Sequence, residues 1–367
     1  MRKLLSIFLL SLLGPISWAQ DSSIVARIVF IGDAGDIDPQ QSQVISHAAK
    51  HVLQRKTTVV YLGDNIYPKG LGLPGSPEEA TTKDILRSQF VPMRAAGAKV
   101  YFLPGNHDWD KSGPQGLAKI KAQSAFLQEQ HDPELRMVPE NGCPGPELIP
   151  ISKYLSIVAF DSEWWLFPHH QAQDAQNRSF SDKEAVISKM NALAAAHKDQ
   201  VLILASHHPF QTYGAHSGRF SLMQHLFPLR DVDKNLYIPL PILGSLYPLI
   251  RGTFPSPEDL KNRAYKEMIN KVDDAFKGLP NLVHVAGHDH GLQFIKQENN
   301  IQIVSGAGTK TSQVLRGKYA LYGKAIQGYV VADLYADKSI HFKFYEEQDA
   351  GIVETFKFVK HYTTPSD

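Results

Sequence analysis

The chain has 367 residues, of which 43% are hydrophobic and 20% charged. That is the balance of an ordinary globular protein, and it excludes collagen, coiled-coil and disordered classes. Lys+Arg 38 against Asp+Glu 37 leaves a formal net charge of +1. No global field therefore draws nucleic acid or an anionic membrane surface, and any phosphate recognition has to be local.

At the N-terminus Arg2 and Lys3 precede an apolar run, Leu4 to Leu13, followed by Gly14, Pro15 and the small residues Ser17 and Ala19. This three-part pattern predicts a signal peptide over 1–19, cleaved after Ala19, and export to the periplasm or beyond. The run is about half of the ~20 apolar residues a spanning helix needs, so no transmembrane span is expected in the mature chain. Cys143 is the single cysteine; it excludes an intrachain disulfide.

From Ile24 onward, short β-branched or aromatic runs end abruptly in small, polar turns. Strands are predicted at Ile24–Ile31, Val59–Leu62, Val100–Leu103, Leu155–Phe160, Val201–Ala205, Leu282–Ala286 and Ile301–Val304. Helix-like stretches intervene at Gln40–Arg55, Thr82–Ala95, Leu117–Gln130 and Asp182–His197, the last with Ser181 as N-cap. The alternation argues α/β. Gly328–Leu334, Ile340–Tyr345 and Glu354–Val359 then follow one another as strands, which predicts a second sheet with antiparallel pairing. Residues 20–367 read as one domain carrying an insertion over 217–260. Within it Tyr237–Ile250 is apolar but broken by Pro239, Pro241 and Pro248. It reads as an irregular segment packed on the domain, or as an apolar lip or docking face for an envelope partner.

Five polar blocks stand where predicted strands end: Gly32-Asp33-Ala34-Gly35, Gly63-Asp64-Asn65-Ile66-Tyr67, Gly105-Asn106-His107-Asp108, Ser206-His207-His208-Pro209 and Gly287-His288-Asp289-His290. The carboxyl edge of an α/β sheet is where ligands bind, so these loops can converge. Together they supply carboxylates, an amide oxygen, imidazoles and a phenol without thiolate, a set suited to Mn, Fe or Zn. Seven ligands exceed one ion and match a metal pair sharing a carboxylate, the arrangement used on phosphate esters. Singly, each block is an ordinary strand-end turn; as an ordered set they carry the reading. His47 and His51, four apart on a predicted helix, read as a solvated face, since no carboxylate or third histidine stands beside them. Asn177-Arg178-Ser179 fits a glycosylation acceptor.

The ordered blocks resemble those of the calcineurin-like metallophosphoesterases, and Gly63-Asp-Asn-Ile-Tyr67 resembles the purple acid phosphatase branch, over about Arg27 to Phe358. Gly35 stands where most of the wider family has a histidine, and Tyr67 is the residue of the purple branch. Gly287-His-Asp-His-Gly-Leu-Gln-Phe294, Glu298-Asn299 and Ser305-Gly-Ala-Gly308 resemble its small single-domain members. Asn141 to Pro146 and Ser162 to Trp165 are similar to bacterial metallophosphoesterases sometimes joined to an outer-membrane barrel. The resemblance implies a four-layer αββα sandwich, two mixed β-sheets flanked by helices with the metal site at the carboxyl ends of strands. It further implies that Asp33, Tyr67 and His290 bind Fe(III), that Asp64 bridges, and that Asn106, His207 and His288 hold a divalent Fe, Zn or Mn. A phenolate ligand agrees with a strongly Lewis-acidic ion.

By the same resemblance His107 and His216 face the phosphate, orienting it and protonating the leaving alkoxide, a task suited to histidine. The expected activity is hydrolysis of small phosphate monoesters by a metal-bound hydroxide, with an acidic to neutral optimum. Phosphodiesters or pyrophosphate are the alternative substrates of the same site, and a non-catalytic envelope-binding module is the alternative of another class. Ala34, where the purple branch often has an aromatic residue, and the long insertion bear on substrate preference.

Overall fold

The structure, a computed structural model, describes residues 24–169, 182–218, 226–227, 238–239 and 255–362. The signal peptide, the Asn177 acceptor, His170, Ser181 and all of Tyr237–Ile250 except Ile238 and Pro239 lie outside the described residues.

In chain order the elements are β1 (Ile24–Ile31), α1 (Pro39–Lys50), β2 (Thr57–Leu62), α2 (Glu79–Ala95), β3 (Lys99–Leu103), α3 (Gly116–Gln128), β4 (Leu135–Met137), β5 (Glu147–Pro150), β6 (Leu155–Ala159) and α4 (Ser162–Leu166). There follow α5 (Lys183–Ala196), β7 (Val201–Ala205), a 3-10 turn at Ala215–Ser217, α6 (Arg263–Ala275), β8 (Leu282–Ala286), β9 (Leu292–Gln297) and β10 (Asn300–Ser305). The last strands are β11 (Ala320–Lys324), β12 (Gly328–Tyr335), β13 (Ser339–Gln348) and β14 (Gly351–His361).

Two seven-stranded sheets form, ordered β14-β13-β12-β1-β2-β3-β4 and β11-β9-β10-β8-β7-β6-β5. In the first, β1 to β4 run parallel; in the second, β6, β7, β8 and β10 do. Both sheets are mixed. The C-terminal meander is antiparallel as expected, but it does not form a separate sheet: β12 pairs with β1 and extends the first one. The second sheet is built from mid-chain strands instead. The reason lies in β1, whose two edges are both taken, by β2 on one side and β12 on the other. At that junction the buried Arg27 guanidinium donates to both carboxylate oxygens of Asp333, at 2.6 and 2.9 Å, and Lys343 on β13 donates to the same carboxylate at 2.9 Å.

Strand alternation creates the layers. Ile28 and Phe30 of β1, Val60 of β2, Ile203 of β7, Val283 and Val285 of β8, and Phe342 and Phe344 of β13 share one core between the sheets. Their neighbours Val29, Ile31, Val59 and Tyr61 face outward beneath helices, as do Leu202 and Leu204 on the other side. The result is the four-layer αββα sandwich.

Local signals set the helix ends. Asp38 accepts from the Gln41 amide and Pro39 opens α1, the N-cap and first-turn pattern expected of such residues. α1 ends at Lys50, short of Arg55, because Thr57 already belongs to β2 and its hydroxyl accepts from the Leu53 amide. Asp182 caps α5, accepting from Glu184. The helix α6 was not predicted, although Tyr265, Met268, Val272 and Ala275 line its buried face at helical spacing behind an Asn262 cap. Among the described residues no helix is long and apolar enough to cross a membrane.

Candidate metal centre

Every one of the five blocks follows the carboxyl end of a parallel strand: β1, β2 and β3 in one sheet, β7 and β8 in the other. The sheets face each other, so both sets of loops open at one end of the sandwich. Asp33, Asp64 and His288 sit there with positive φ, 57°, 53° and 68°, a backbone state that non-glycine residues adopt at a cost of about 1–3 kcal/mol and that concentrates at functional sites. Close backbone approach is required as well. A Cβ on Gly63, itself at φ 89°, would stand 2.6 Å from His207 Nδ1, and one on Gly105 would stand 2.4 Å from Asp64 Oδ1.

The hydrogen bonds fix which atoms face inward. His207 Nδ1 lies 2.8 Å from the Leu62 carbonyl, which can only accept, so Nδ1 carries the proton and Nε2 presents a lone pair. That Nε2 lies 3.0 Å from Asn106 Oδ1 and 3.4 Å from Asp64 Oδ1. His288 Nε2 donates likewise to the Glu258 carbonyl at 3.0 Å, leaving Nδ1 bare and 3.3 Å from His207 Nε2. Four lone-pair atoms are thus turned toward one another. Beside them a second group gathers: the Tyr67 hydroxyl lies 3.1 Å from Asp33 Oδ1 and 3.2 Å from His290 Nε2, itself 3.4 Å from Asp33 Oδ1. Ligand atoms of Asp33, Asp64 and His207 all fall within 4.8 Å of one another, as do those of His207, His208 and His288. Acceptor atoms held this close repel unless a cation lies between them, so the donor set fits metal ions with oxygen and nitrogen preference.

The electrostatics agree. Burial alone would raise the Asp64 carboxyl, but positive charge placed on the His207 and His107 side, and the His107 amide that donates to its Oδ1 at 2.9 Å, hold it below its ordinary value. Burial lowers His288 well below the usual imidazole value, followed by His216 and the other neighbouring histidines; the neutral ring is the form that ligates. Burial, then Asp33 and Asp64, push the Tyr67 phenol well up.

His107 and His216 stand at the rim with side chains 19% and 21% exposed, accessible to solvent unlike His207. His107 donates from Nδ1 to the Pro68 carbonyl at 2.6 Å, with Nε2 3.9 Å from Asp64 Oδ2. The His216 ring packs on His288, centroids 4.1 Å apart, and its Nδ1 lies 3.2 Å from Asp259 Oδ1. Burial would lower His216, but the Asp259 hydrogen bond and the charges of Asp289 and Asp259 raise it overall.

Supporting carboxylates were not anticipated. Asp108 accepts from the amides of Gly105 and Asn65 and from the Asn65 side chain, tying two ligand loops together. Asp289 accepts from the Thr212 hydroxyl and the His216 amide. Glu258 and Asp259, at the described end of the insertion, reach the site: Asn106 Nδ2 donates to Glu258 Oε1 at 3.1 Å. Asp108 and Asp289 lie inside the blocks themselves and were legible there; Glu258 and Asp259 follow a Pro-broken tract with no motif.

His208 is wholly buried, its Nδ1 2.9 Å from Ser162 Oγ, while its Nε2 has no hydrogen-bond partner and the ring belongs to the group with His207 and His288. Other histidines serve packing. His169 packs on Phe167. His47 and His51 are not a solvated face: their rings pack against Tyr329 and Tyr345, and His47 Nδ1 lies 2.8 Å from the Tyr329 hydroxyl.

The class this fold and donor set define is a metal-dependent phosphoesterase. The family profile of the calcineurin-like phosphoesterases matches residues 26–237, and the chain belongs to that family, whose fold implies divalent metal ions. Among solved structures it is similar to GAP50, titled the anchor in the inner membrane complex of Plasmodium, at 13% identity and TM-score 0.55, covering 93% of this chain and 90% of that one. It is similar to the purple acid phosphatase PPD1 from yellow lupin (Lupinus luteus) seeds at 11% identity and TM-score 0.56, covering 92% of this chain and 54% of the lupin chain. PhoD shares 14% identity and TM-score 0.53, with 92% and 69% covered. At such identities the likeness is one of fold. No curated protein matches the chain.

Proposed function

We propose that the chain is an exported binuclear hydrolase of small phosphate esters with an acid-phosphatase-like preference for monoesters. The observation that carries this reading is the convergence of unprotonated His207 Nε2, His288 Nδ1, Asn106 Oδ1 and Asp64 Oδ1 beside the cluster of Asp33, Tyr67 and His290. Asp33, Tyr67 and His290 would hold Fe(III), Asn106, His207 and His288 a divalent Fe, Zn or Mn, and Asp64 would be shared. When bound, such a pair acidifies water and neutralises phosphoryl oxygens.

The chain's own residues supply the rest. His107, anchored through Pro68, orients the phosphate from its Nε2 side. His216 is held protonated by Asp259 and delivers that proton to the departing alkoxide oxygen. Export rests on the pattern over 1–19, and a mature protein beginning near Gln20 by mass spectrometry tests it.

The deciding experiment is metal analysis with a visible spectrum of the purified protein and of Tyr67→Phe, alongside hydrolysis of p-nitrophenyl phosphate and bis-p-nitrophenyl phosphate. The expected result is iron, a charge-transfer band lost in Tyr67→Phe, and faster turnover of the monoester below neutrality. A colourless protein active only above pH 9 would sink the ferric assignment, and faster turnover of the bis-ester would replace monoester by diester. Loss of a partner-binding phenotype on changing Tyr237–Ile250, with no hydrolysis at any metal content, would favour the envelope-binding module.

A further inference from the structure

The first turn of α4 abuts the loops of the proposed divalent seat. Asp161 caps it, accepting from the Trp164 amide at 2.9 Å and from Trp109 Nε1 at 2.8 Å, and its first two residues, Ser162 and Glu163, are wholly buried. Ser162 Oγ accepts from the His208 amide at 3.1 Å and shares a hydrogen with His208 Nδ1 at 2.9 Å. Glu163 Oε1 accepts from Ser112 Oγ at 2.6 Å, and the Ser112 amide in turn donates to the Asn106 carbonyl at 3.3 Å. One turn of chain thus reaches the block of His207 and His208 on one side and the Asn106 loop on the other.

His208 carries the contact onward. Its ring packs on His288 with centroids 4.3 Å apart and meets His207 edge-on at 5.0 Å. Tyr265 of α6 holds it in turn, at 5.4 Å and 85°, and the Tyr265 hydroxyl donates to the neighbouring Pro209 carbonyl at 2.7 Å. An imidazole ligates only along the lone pair in its ring plane, so the tilt of the His288 ring decides where its bare Nδ1 points. The Glu258 carbonyl holds Nε2 of that ring, and the packing of His208 limits its tilt.

Packing alone does not call for polar groups here. His208 Nε2 and Glu163 Oε2 are buried and 3.8 Å apart, and neither has a hydrogen-bond partner among the described residues. Unpartnered polar atoms in a sealed layer cost stability that apolar side chains of similar size would avoid. What the polar residues supply is direction: Ser162 sets the His208 ring at Nδ1 and the Glu163 carboxyl faces Nε2, so the ring is fixed in one orientation.

The cluster of Asp33, Tyr67 and His290 is held from elsewhere. Gly308 N donates to the Gly32 carbonyl at 2.9 Å, Thr309 donates to the Asp33 carbonyl from its amide at 3.0 Å and its hydroxyl at 2.9 Å, and Ser312 N donates to the His290 carbonyl at 2.7 Å. Asp33 Oδ2 accepts from the His288 amide at 2.8 Å, a main-chain donor that side-chain changes at Glu163 or His208 leave in place.

Resting on the binuclear reading above, we propose that Ser162, Glu163 and His208 form a brace for the divalent seat alone, with His208 as the positioning residue of His288 and Glu163 as the link to the Asn106 loop. The two seats then have separate supports, and the affinity of one is changed without the other.

The test uses the full chain, stripped of metal with chelator and titrated with Zn(II) by calorimetry, which reads one binding step for each seat. His207→Ala and His290→Ala each remove a proposed ligand of one seat and so identify its step. Ser162→Ala and His208→Ala should weaken the step that His207→Ala abolishes by about 10–100-fold, the effect of removing a group that orients a ligand, and leave the step that His290→Ala abolishes unchanged. Glu163→Ala should act in the same direction, while Glu163→Gln, whose amide offers a donor and an acceptor to His208 and Ser112, should recover most of the loss. Unchanged Zn(II) affinity, equal weakening of both steps, or a Glu163→Gln no better than Glu163→Ala overturns the brace. So does a loss of stability in urea denaturation of the metal-free variants with both steps intact, which would make the group a packing feature. Where His208→Ala or Glu163→Ala does not fold, Ser162→Ala decides by the same comparison of the two steps. If the unaltered protein takes up one ion per chain or none, the binuclear reading fails and the brace falls with it; uptake of two ions with unselective variants overturns the brace and leaves that reading standing.

Discussion

Asp108 offers a direct measure of how far the centre depends on what lies beneath it. Its buried carboxylate accepts from Gly105 N at 2.8 Å, Asn65 N at 3.1 Å and Asn65 Nδ2 at 3.0 Å. Those donors belong to the loops that carry Asp64 and Asn106, so one side chain sets the spacing of two proposed ligands. In Asp108→Ala the donors stay buried without a partner, and each such orphan costs about 1–3 kcal/mol. With partial relaxation the sum is about 3–6 kcal/mol, a large part of the ~5–15 kcal/mol by which a domain is stable. Asp108→Asn keeps the shape and one acceptor oxygen but turns an amide toward the donors; it should cost about 1–3 kcal/mol. Urea denaturation of the metal-stripped protein, followed by tryptophan fluorescence, should rank the variants in that order with unchanged m-values. Metal titration should show affinity weakened by about 10–100-fold, as for other residues that orient ligands. If Asp108→Ala loses under about 1 kcal/mol, or unfolds differently while binding metal normally, the loops are held by something else and the reasoning is wrong.

Three further perturbations follow from named contacts. Arg27→Met strands the buried Asp333 with Lys343 alone and should cost about 3–5 kcal/mol in urea denaturation; Asp333 also gives a pH signature. Burial would raise its carboxyl, but the Arg27 hydrogen bond and charge and then Lys343 hold it below the ordinary 3.8. Its contribution is therefore present above about pH 3.8 and lost as pH falls through the depressed folded value, so Asp333→Asn should flatten the thermal midpoint in that acid window. Gly63→Ala forces a side chain onto φ 89° and into the His207 ring; it should lower the midpoint by several degrees and reduce the bound divalent metal, and a normal metal content would contradict the contact. Asp259→Ala frees the His216 ring and should lower kcat on p-nitrophenyl phosphate by about tenfold or more, part of the 10²–10⁴-fold a general acid supplies, with KM nearly constant. A rise in KM alone would make Asp259 a binding group rather than a positioning one.

How much of this was legible in the sequence depends on whether the signal was local. β1, β2, β3, β7 and β8 were found because each is an apolar run cut off by a Gly-rich or Ser-His turn, and the turn is itself the functional loop. β4, β5, β9 and β11 were missed because they are short or mixed in composition and become strands by pairing with neighbours already in place. The meander was read correctly strand by strand and assigned to the wrong sheet, since which edge of β1 is free is settled by the whole topology and by the Arg27–Asp333 pair across 306 residues of chain.

The same division runs through the site. Residue type and order selected Asp33, Asp64, Tyr67, Asn106, His207, His288 and His290, and the structure brings the side chains of all seven to one end of the sandwich. What no local pattern could disclose is which lone pair each imidazole turns inward. That is decided by distant carbonyls, Leu62 for His207 and Glu258 for His288, the latter from the far end of the insertion. The residue types of the site are thus written in short motifs, whereas the tautomer and orientation of its imidazoles are set by carbonyls that fold onto the motifs from elsewhere.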